Sequence, residues 1–272
     1  MSRTDAFVGI DVAFAKGKRL PICICTVQAG HLVPLSMRTD CLTSHPRGKG
    51  NKAALDPTVV DAFAREVSAY LRRVELHLGV NIRRIALDAP SSPKGHGNSW
   101  RECEAAFIEH FGVNAIFKTP GLLEFEDIRA KAIDHLRHGG TESTLPNANR
   151  LWMLAGFALF QQLKADHWEC IEVYPHATVR VLGAATVHKR NRSGVLAQLG
   201  ALAYRTGWPS DQGEEALAYL ARILCAPAHD AVDAYASAWI ASLDRSQRHP
   251  LGCEPDDAIW IPLLDGRSHR HQ

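Results

Sequence analysis

Several features that would settle the class of a protein cheaply are missing from this chain. No apolar run is long enough to span a bilayer, and Met1-Ser2-Arg3-Thr4-Asp5 leads straight into a short strand without a signal-peptide pattern. No charge of one sign dominates: 31 Lys and Arg against 29 Asp and Glu leave a net charge of +2. The strongly basic body typical of nucleic-acid binders is therefore absent, and local basic patches must carry any such argument. The seven cysteines are odd in number and form no C-x-x-C pair, which fits reduced thiols and a cytoplasmic protein without a membrane association. Cys23 and Cys25 share one face of a predicted strand, a core-packing pattern. There is no H-E-x-x-H and no Cys/His ligand spacing, so nothing suits zinc. No G-x-x-x-x-G-K-[ST] loop and no internal repeat occur either.

What is present is an ordinary globular composition, 46% hydrophobic and 22% charged, in 272 residues. Phe7 to Ala13 reads as a short apolar strand with Asp11 near its end. Lys16-Gly17-Lys18 is a turn, and strands over 20–27 and 31–39 would complete an antiparallel meander. The segment 38–52 is polar, Gly-rich and basic: a solvated loop or linker, with phosphate contact as the alternative reading. Pro57 opens a helix to about Leu78, with Val60, Phe63, Val67, Leu71 and Val74 as its apolar stripe. A strand over 81–87 then ends in Asp88-Ala89-Pro90. The loop 91–99 carries Lys94 before a helix over 100–111, a weak anion cradle.

Further along, 113–117 reads as a short strand. The segment 120–165 reads as a helical insertion, first highly charged and then apolar. A strand over 167–173 carries Glu172 late in its run, and Pro175 opens a helix to about Leu182. A second basic loop, 188–192, holds Lys189. Helices over 194–205 and 213–224 lead to Ala226–Ala241, an apolar helix with Asp230 and Asp233 on one face of its first turn. A last strand covers 258–262, and 267–272 is a disordered tail. The whole reads as one α/β domain over 1–272, with a mixed sheet covered by helices.

Two readings of Asp230 and Asp233 stand side by side. Asp230 is an N-cap with Asp233 completing a capping-box-like pattern, and both suit the helix dipole. Alternatively they belong to a constellation. Asp11, Asp88 and Glu172 end strands while Asp230 and Asp233 begin a helix, and functional groups of α/β sheets gather at such ends. Carboxylates converging from separate elements repel one another unless a cation lies between them. Mg²⁺ or Mn²⁺ would turn them into an oxygen-ligand cage. Two such ions ~4 Å apart would serve an in-line phosphoryl displacement, with Lys16 or Lys94 offsetting charge on the phosphorane.

The residues also carry a resemblance. Gly9-Ile10-Asp11, the acid at Asp88 and the D-x-x-D-A of Asp230 to Ala234 are similar to the ribonuclease H superfamily, and the D-x-x-D spacing to its Holliday-junction resolvase branch. More narrowly, L-D-A-P (87–90), W-R-E-C-E (100–104), E-V-Y-P-H-A-T (172–178), R-V-L-G (180–183) and D-A-V-D-A-Y-A-S-A-W (230–239) resemble the predicted nucleases called domain of unknown function 429. The resemblance runs from about Phe7 to Pro262. It implies a ribonuclease H-like mixed sheet flanked by helices, and an acidic site at Asp11, Asp88, Glu172, Asp230 and Asp233. Asp11, Asp88, Asp230 and Asp233 would hold the metal. Arg101, Glu104 and Lys189 would be auxiliary, with Lys16, Lys94, Arg101 and Lys189 touching substrate. His229 stands where that family often has an acid, and the loop 38–52 is longer than the family pattern.

The function expected is divalent-metal-dependent phosphodiester hydrolysis on DNA or RNA, and junction cutting would favour a two-fold homodimer. An actin-like or sugar-kinase-class phosphotransferase or nucleotide hydrolase is the alternative, but 12–16 lacks the Gly/Thr-rich turn that class wants after its first acid. A non-catalytic ribonuclease H-like binding module is the third reading.

Overall fold

The computed structural model describes residues 3–36, 45–112, 116, 118–185, 189, 191–211 and 213–264. Three strands open the chain: β1 (Thr4–Asp11), β2 (Ile22–Gln28) and β3 (His31–Pro34). β1 with β2 and β2 with β3 pair antiparallel, as the short turns require. The third strand is shorter than expected, and 37–39 lie outside the described residues.

Helix α1 (Pro57–Leu78) has the predicted bounds for identifiable reasons. The Asp56 carboxylate accepts the Thr58 N–H at 2.9 Å, and Pro57 takes the first helical position, where a missing N–H costs nothing. Gly79 ends the helix in the left-handed conformation, φ 64°. This crossover returns the chain as β4 (Val80–Asp88), parallel to β1, with Asp11 directly opposite Asp88.

Next come α2 (Glu102–Phe111), α3 (Leu122–Arg137), α4 (Ala148–Ala165) and β5 (Glu169–Val173), the last parallel to β4. The strand expected over 113–117 falls largely outside the described residues. The expected helical insertion consists of α3 and α4, and α4 packs on α1 in the main core. Then follow α5 (Pro175–Val181), α6 (Arg192–Thr206), α7 (Glu214–Leu224), α8 (Ala228–Ser242), β6 (Arg248–Cys253) and β7 (Asp257–Pro262). The tail 267–272 lies outside the described residues.

The result is a seven-stranded mixed sheet in the order β3-β2-β1-β4-β5-β7-β6. Strand β6 is absent from the sequence reading. Pro250 and Gly252 interrupt its pattern, and Pro is tolerated because β6 is an edge strand paired only with β7.

Helices cover both faces of the sheet. On one, Val8, Ile10, Ile85 and Leu87 meet α1 and α4. On the other, Ala86, Ile171 and Val173 meet α8, behind which lie α6 and α7. A smaller cluster joins Cys103 and Phe107 to Leu251, Ile259 and Ile261. Among the described residues no helix is long and apolar enough to cross a membrane.

Candidate acidic site at the strand ends

The site depends on how closely α8 approaches β1. A Cβ on Gly9 would lie 2.0 Å from the Ala234 carbonyl oxygen and 2.3 Å from the Ala238 nitrogen, so only glycine fits. Helix α8 can come this near because Ala234, Ser237, Ala238 and Ala241 are small. Asp11 lies two residues beyond Gly9 along the strand; Asp233 and Asp230 lie back along the helix from Ala234. Seated on Gly9, the helix therefore aims its first turn at the carboxyl ends of β1 and β4.

Neither helix aspartate caps α8. The N-cap is Pro227 and no side chain caps the helix. Asp230 and Asp233 are instead buried, 6% and 3% exposed, while Asp11 and Asp88 are half-buried. Lys189 donates a short hydrogen bond to Asp233. Lys18 Nζ lies 2.8 Å from Asp230 Oδ2, off hydrogen-bonding angle, so this buried oxygen has an ion pair but no hydrogen bond. His229 Nε2 is 3.1 Å from Asp230 Oδ1. Asp11 and Asp88 form no side-chain hydrogen bond or ion pair among the described residues.

Among the described residues four carboxyl groups thus face two ammonium groups and the His229 imidazole, and their crowding is visible in their protonation. Burial, then Asp88, Asp233 and Asp230, push Asp11 well above the usual carboxylate range, against Lys189. Burial, then chiefly Asp233, pushes Asp88 to about 8. Asp233 is also raised by burial, although Lys189 opposes it. Burial works against the Lys189 ammonium, yet Asp233, Asp88 and Asp11 hold its pKa above the ordinary lysine value.

Glu172 is close by but otherwise engaged. Its register partner is Leu87, not Asp88, so it projects from the opposite face of the sheet. There Arg101 donates to both its oxygens, at 2.9 and 2.6 Å, and the Ser91 N–H donates at 2.7 Å. The guanidinium is 2% exposed and also reaches Asp257 at 3.0 Å. Arg101 is thus the internal counter-ion of Glu172. Glu104 accepts the N–H groups of Arg101 and Thr119, at 3.3 and 2.8 Å.

Among the expected substrate contacts, Lys189 is in the cluster and Lys16 is exposed in the turn after Asp11. Lys94 lies apart, 3.3 Å from Glu124 and bridged to Gly121. Sequence reasoning missed Lys18, which reads only as part of a turn, and Tyr174, half-buried and pushed to about 12 by desolvation and by Asp88. The signal for Lys18 is its place in the turn directly after a strand-end acid. A small cavity of about 60 Å³ adjoins Asp88, Glu104, Trp152 and Tyr174, enough for water but not for a nucleoside.

Among the described residues no group of three or more His, Cys, Asp or Glu is arranged to hold a metal as it stands. The donor chemistry nonetheless suits a hard divalent cation: every candidate ligand is a carboxyl oxygen, and a bound cation would favour the ionised form of each. The lysine ammonium groups supply the positive charge in this arrangement.

These observations define a mixed α/β protein with helices on both sheet faces and a carboxylate cluster at the carboxyl ends of adjacent parallel strands. More narrowly, the profile of the family described as "Protein of unknown function (DUF429)" matches residues 36–256, and the chain belongs to that family. The matched segment holds Asp88, Glu172, Asp230 and Asp233; Asp11 lies ahead of it. Neither a curated protein nor a solved structure matches the chain at significance.

Proposed function

We propose that the protein is a divalent-metal-dependent phosphodiester hydrolase of ribonuclease H-like architecture, acting on nucleic acid. The observation that carries this reading is the convergence of Asp11, Asp88, Asp230 and Asp233 from three elements, with only Lys18 and Lys189 paired to them among the lysines and arginines described. A fold keeps such repulsion where a bound cation repays it. The antiparallel β1–β3 followed by parallel β4 and β5 supports the architecture.

Asp11 and Asp88, free of other partners among the described residues, would be the primary ligands, with Asp233 and Asp230 completing the set. Bound Mg²⁺ or Mn²⁺ would supply Lewis acidity toward phosphate and a lowered pKa for water. Lys189 balances Asp233 when no metal is bound, and on releasing it would be placed to meet substrate phosphate. Lys16 stands at the rim as a second cation. Glu172 and Arg101 act on this reading by fixing the loop after Asp88, since Glu172 holds the Ser91 N–H.

The test is calorimetry with Mg²⁺ and Mn²⁺ on the wild type, Asp11→Asn and Asp233→Asn, alone and with an oligonucleotide. A nuclease assay on branched, duplex and single-stranded DNA and RNA would use the same samples. The expected result is metal-dependent cleavage by the wild type, with metal binding and cleavage lost in both variants. A wild type that binds no metal even with oligonucleotide present would overturn the reading and favour the binding module.

A further inference from the structure

Two basic segments separated in sequence are built into one ridge beside the acids. The turn after β1 carries Lys16, Lys18 and Arg19; the segment 45–52 carries Arg47, Lys49 and Lys52. A short backbone ladder joins them. Gly17 N–H donates to the Gly48 carbonyl at 2.9 Å, Gly48 N–H to Lys18 at 2.8 Å and Leu20 N–H to Pro46 at 2.8 Å. Arg19 and Arg47 face each other across this bridge. A Cβ on Gly48 would lie 2.4 Å from the Ala15 carbonyl oxygen, so the two backbones are packed tightly.

Like charges directly opposite across strands are destabilising, yet among the described residues no carboxylate pairs with either arginine. Among the described residues Lys16, Arg19, Arg47 and Lys52 have no ion-pair partner, and Arg47 reaches only the Gly17 carbonyl. Among the described residues two acids border the ridge, Glu66 and Glu142; a Cβ on Gly50 would lie 2.3 Å from Glu142 Oε1 and 3.2 Å from Lys16 Cβ, so Glu142 lies beside Lys16 as well as Lys52. Lys49 pairs with Glu66 at 2.7 Å, and Glu142 accepts the Lys52 backbone N–H at 3.1 Å. The positive field is registered by buried His45, which burial and then Arg19 and Arg47 lower to about 4. At its inner end the ridge touches the acidic cluster through Lys18 and Asp230.

From this placement we infer that the ridge Lys16–Arg19–Arg47–Lys52 binds the sugar-phosphate backbone of a nucleic acid and leads it to the acids. The assignment of partner rests on the proposed function. The ridge favours a chain of phosphates over an apolar protein surface or an inserted membrane contact, because neither basic segment, 16–19 or 45–52, carries a large exposed apolar side chain. With a whole-chain charge of only +2, this local field, not bulk charge, would have to supply the attraction.

The experiment is salt-titrated binding of labelled single-stranded and duplex DNA and RNA, in EDTA and in Ca²⁺. It compares the wild type with Arg19→Ala/Arg47→Ala, Lys16→Ala/Lys52→Ala and the distant control Lys131→Ala. Each double variant should weaken binding about tenfold or more. Each should also lower the slope of log K against log salt by about 1.4 to 1.8, two neutralised phosphates' worth. The control should match the wild type, and melting curves should show all variants folded. Ridge-dependent binding without any metal-dependent cleavage would sustain this inference and remove the nuclease reading. Cleavage by the wild type, with affinity and salt slope unchanged in both double variants, would overturn the ridge and leave the nuclease standing. A wild type that binds none of the four nucleic acids would also overturn it.

Discussion

At the scale of single residues, the acidic site should show itself through pH. A carboxyl group whose pKa is about 8 in the folded protein and about 3.9 in the unfolded chain binds a proton more tightly when folded. Its stabilising contribution is complete below the lower value and is lost as pH rises through the upper one. Each group of this kind adds a slope of up to about 1.4 kcal/mol per pH unit between the two. In EDTA, the stability of the wild type relative to Asp88→Asn should therefore decline from about pH 4 to about pH 8. Denaturant unfolding at several pH values measures this difference, and a difference independent of pH would mean that Asp88 is not crowded by its neighbours. His45 acts with the opposite sign. Its imidazole stays neutral to about 4, so its stability term is lost as pH falls from about 6.5 toward that value, inside the lower part of the Asp88 window; comparing the wild type with Asp88→Asn cancels it, because both proteins keep His45.

At the scale of elements, the Arg101–Glu172 pair makes the sharper claim. It joins the N-cap of α2 to β5, to the loop after β4 through Ser91, and to β7 through Asp257. Breaking a buried pair from one side strands the other charge, at about 3–5 kcal/mol. Glu172→Gln should thus lose about that much stability while keeping its metal affinity; a metal ligand would show the reverse. Unfolding and calorimetry on one variant separate the two. The sequence resemblance places Glu172 in the acidic site, though not among the residues that would hold the metal, because position late in a strand is legible, whereas the face it projects from depends on register with β4. Its partner, 71 residues away, is invisible to any local pattern. By contrast, α1 and α8 were legible nearly to the residue, since a proline and the apolar spacing agree at each, joined at α1 by the Asp56 cap and the Gly79 end. Strand β6 was hidden because Pro250 and Gly252 spoil the alternation, and only its edge position makes them acceptable. The capping reading of Asp230 failed for a similar reason. Spacing places the two aspartates on one face, but only the seat of α8 on Gly9 shows which way that face points.

At the scale of the whole molecule, the acids gather groups that lie far apart along the chain, from Asp11 to Asp233, onto one sheet edge and one helix end. Without metal their repulsion works against docking α8 on the sheet; with metal the same groups would hold the two together. Stability should therefore cross over between conditions. In EDTA, Asp11→Asn removes one of four crowded carboxylates, leaves no cation newly unpaired, and should melt at or above the wild type. In saturating Mg²⁺ or Mn²⁺ the order should reverse. A ligand that binds only the folded state adds about 2.7 kcal/mol at one hundred times its dissociation constant, and the variant forgoes that gain. Melting temperatures of both proteins across a metal titration, with and without an oligonucleotide, test this directly. Parallel curves would argue that the carboxylates answer only to Lys18 and Lys189, because a repulsion that no cation relieves cannot change sign with metal.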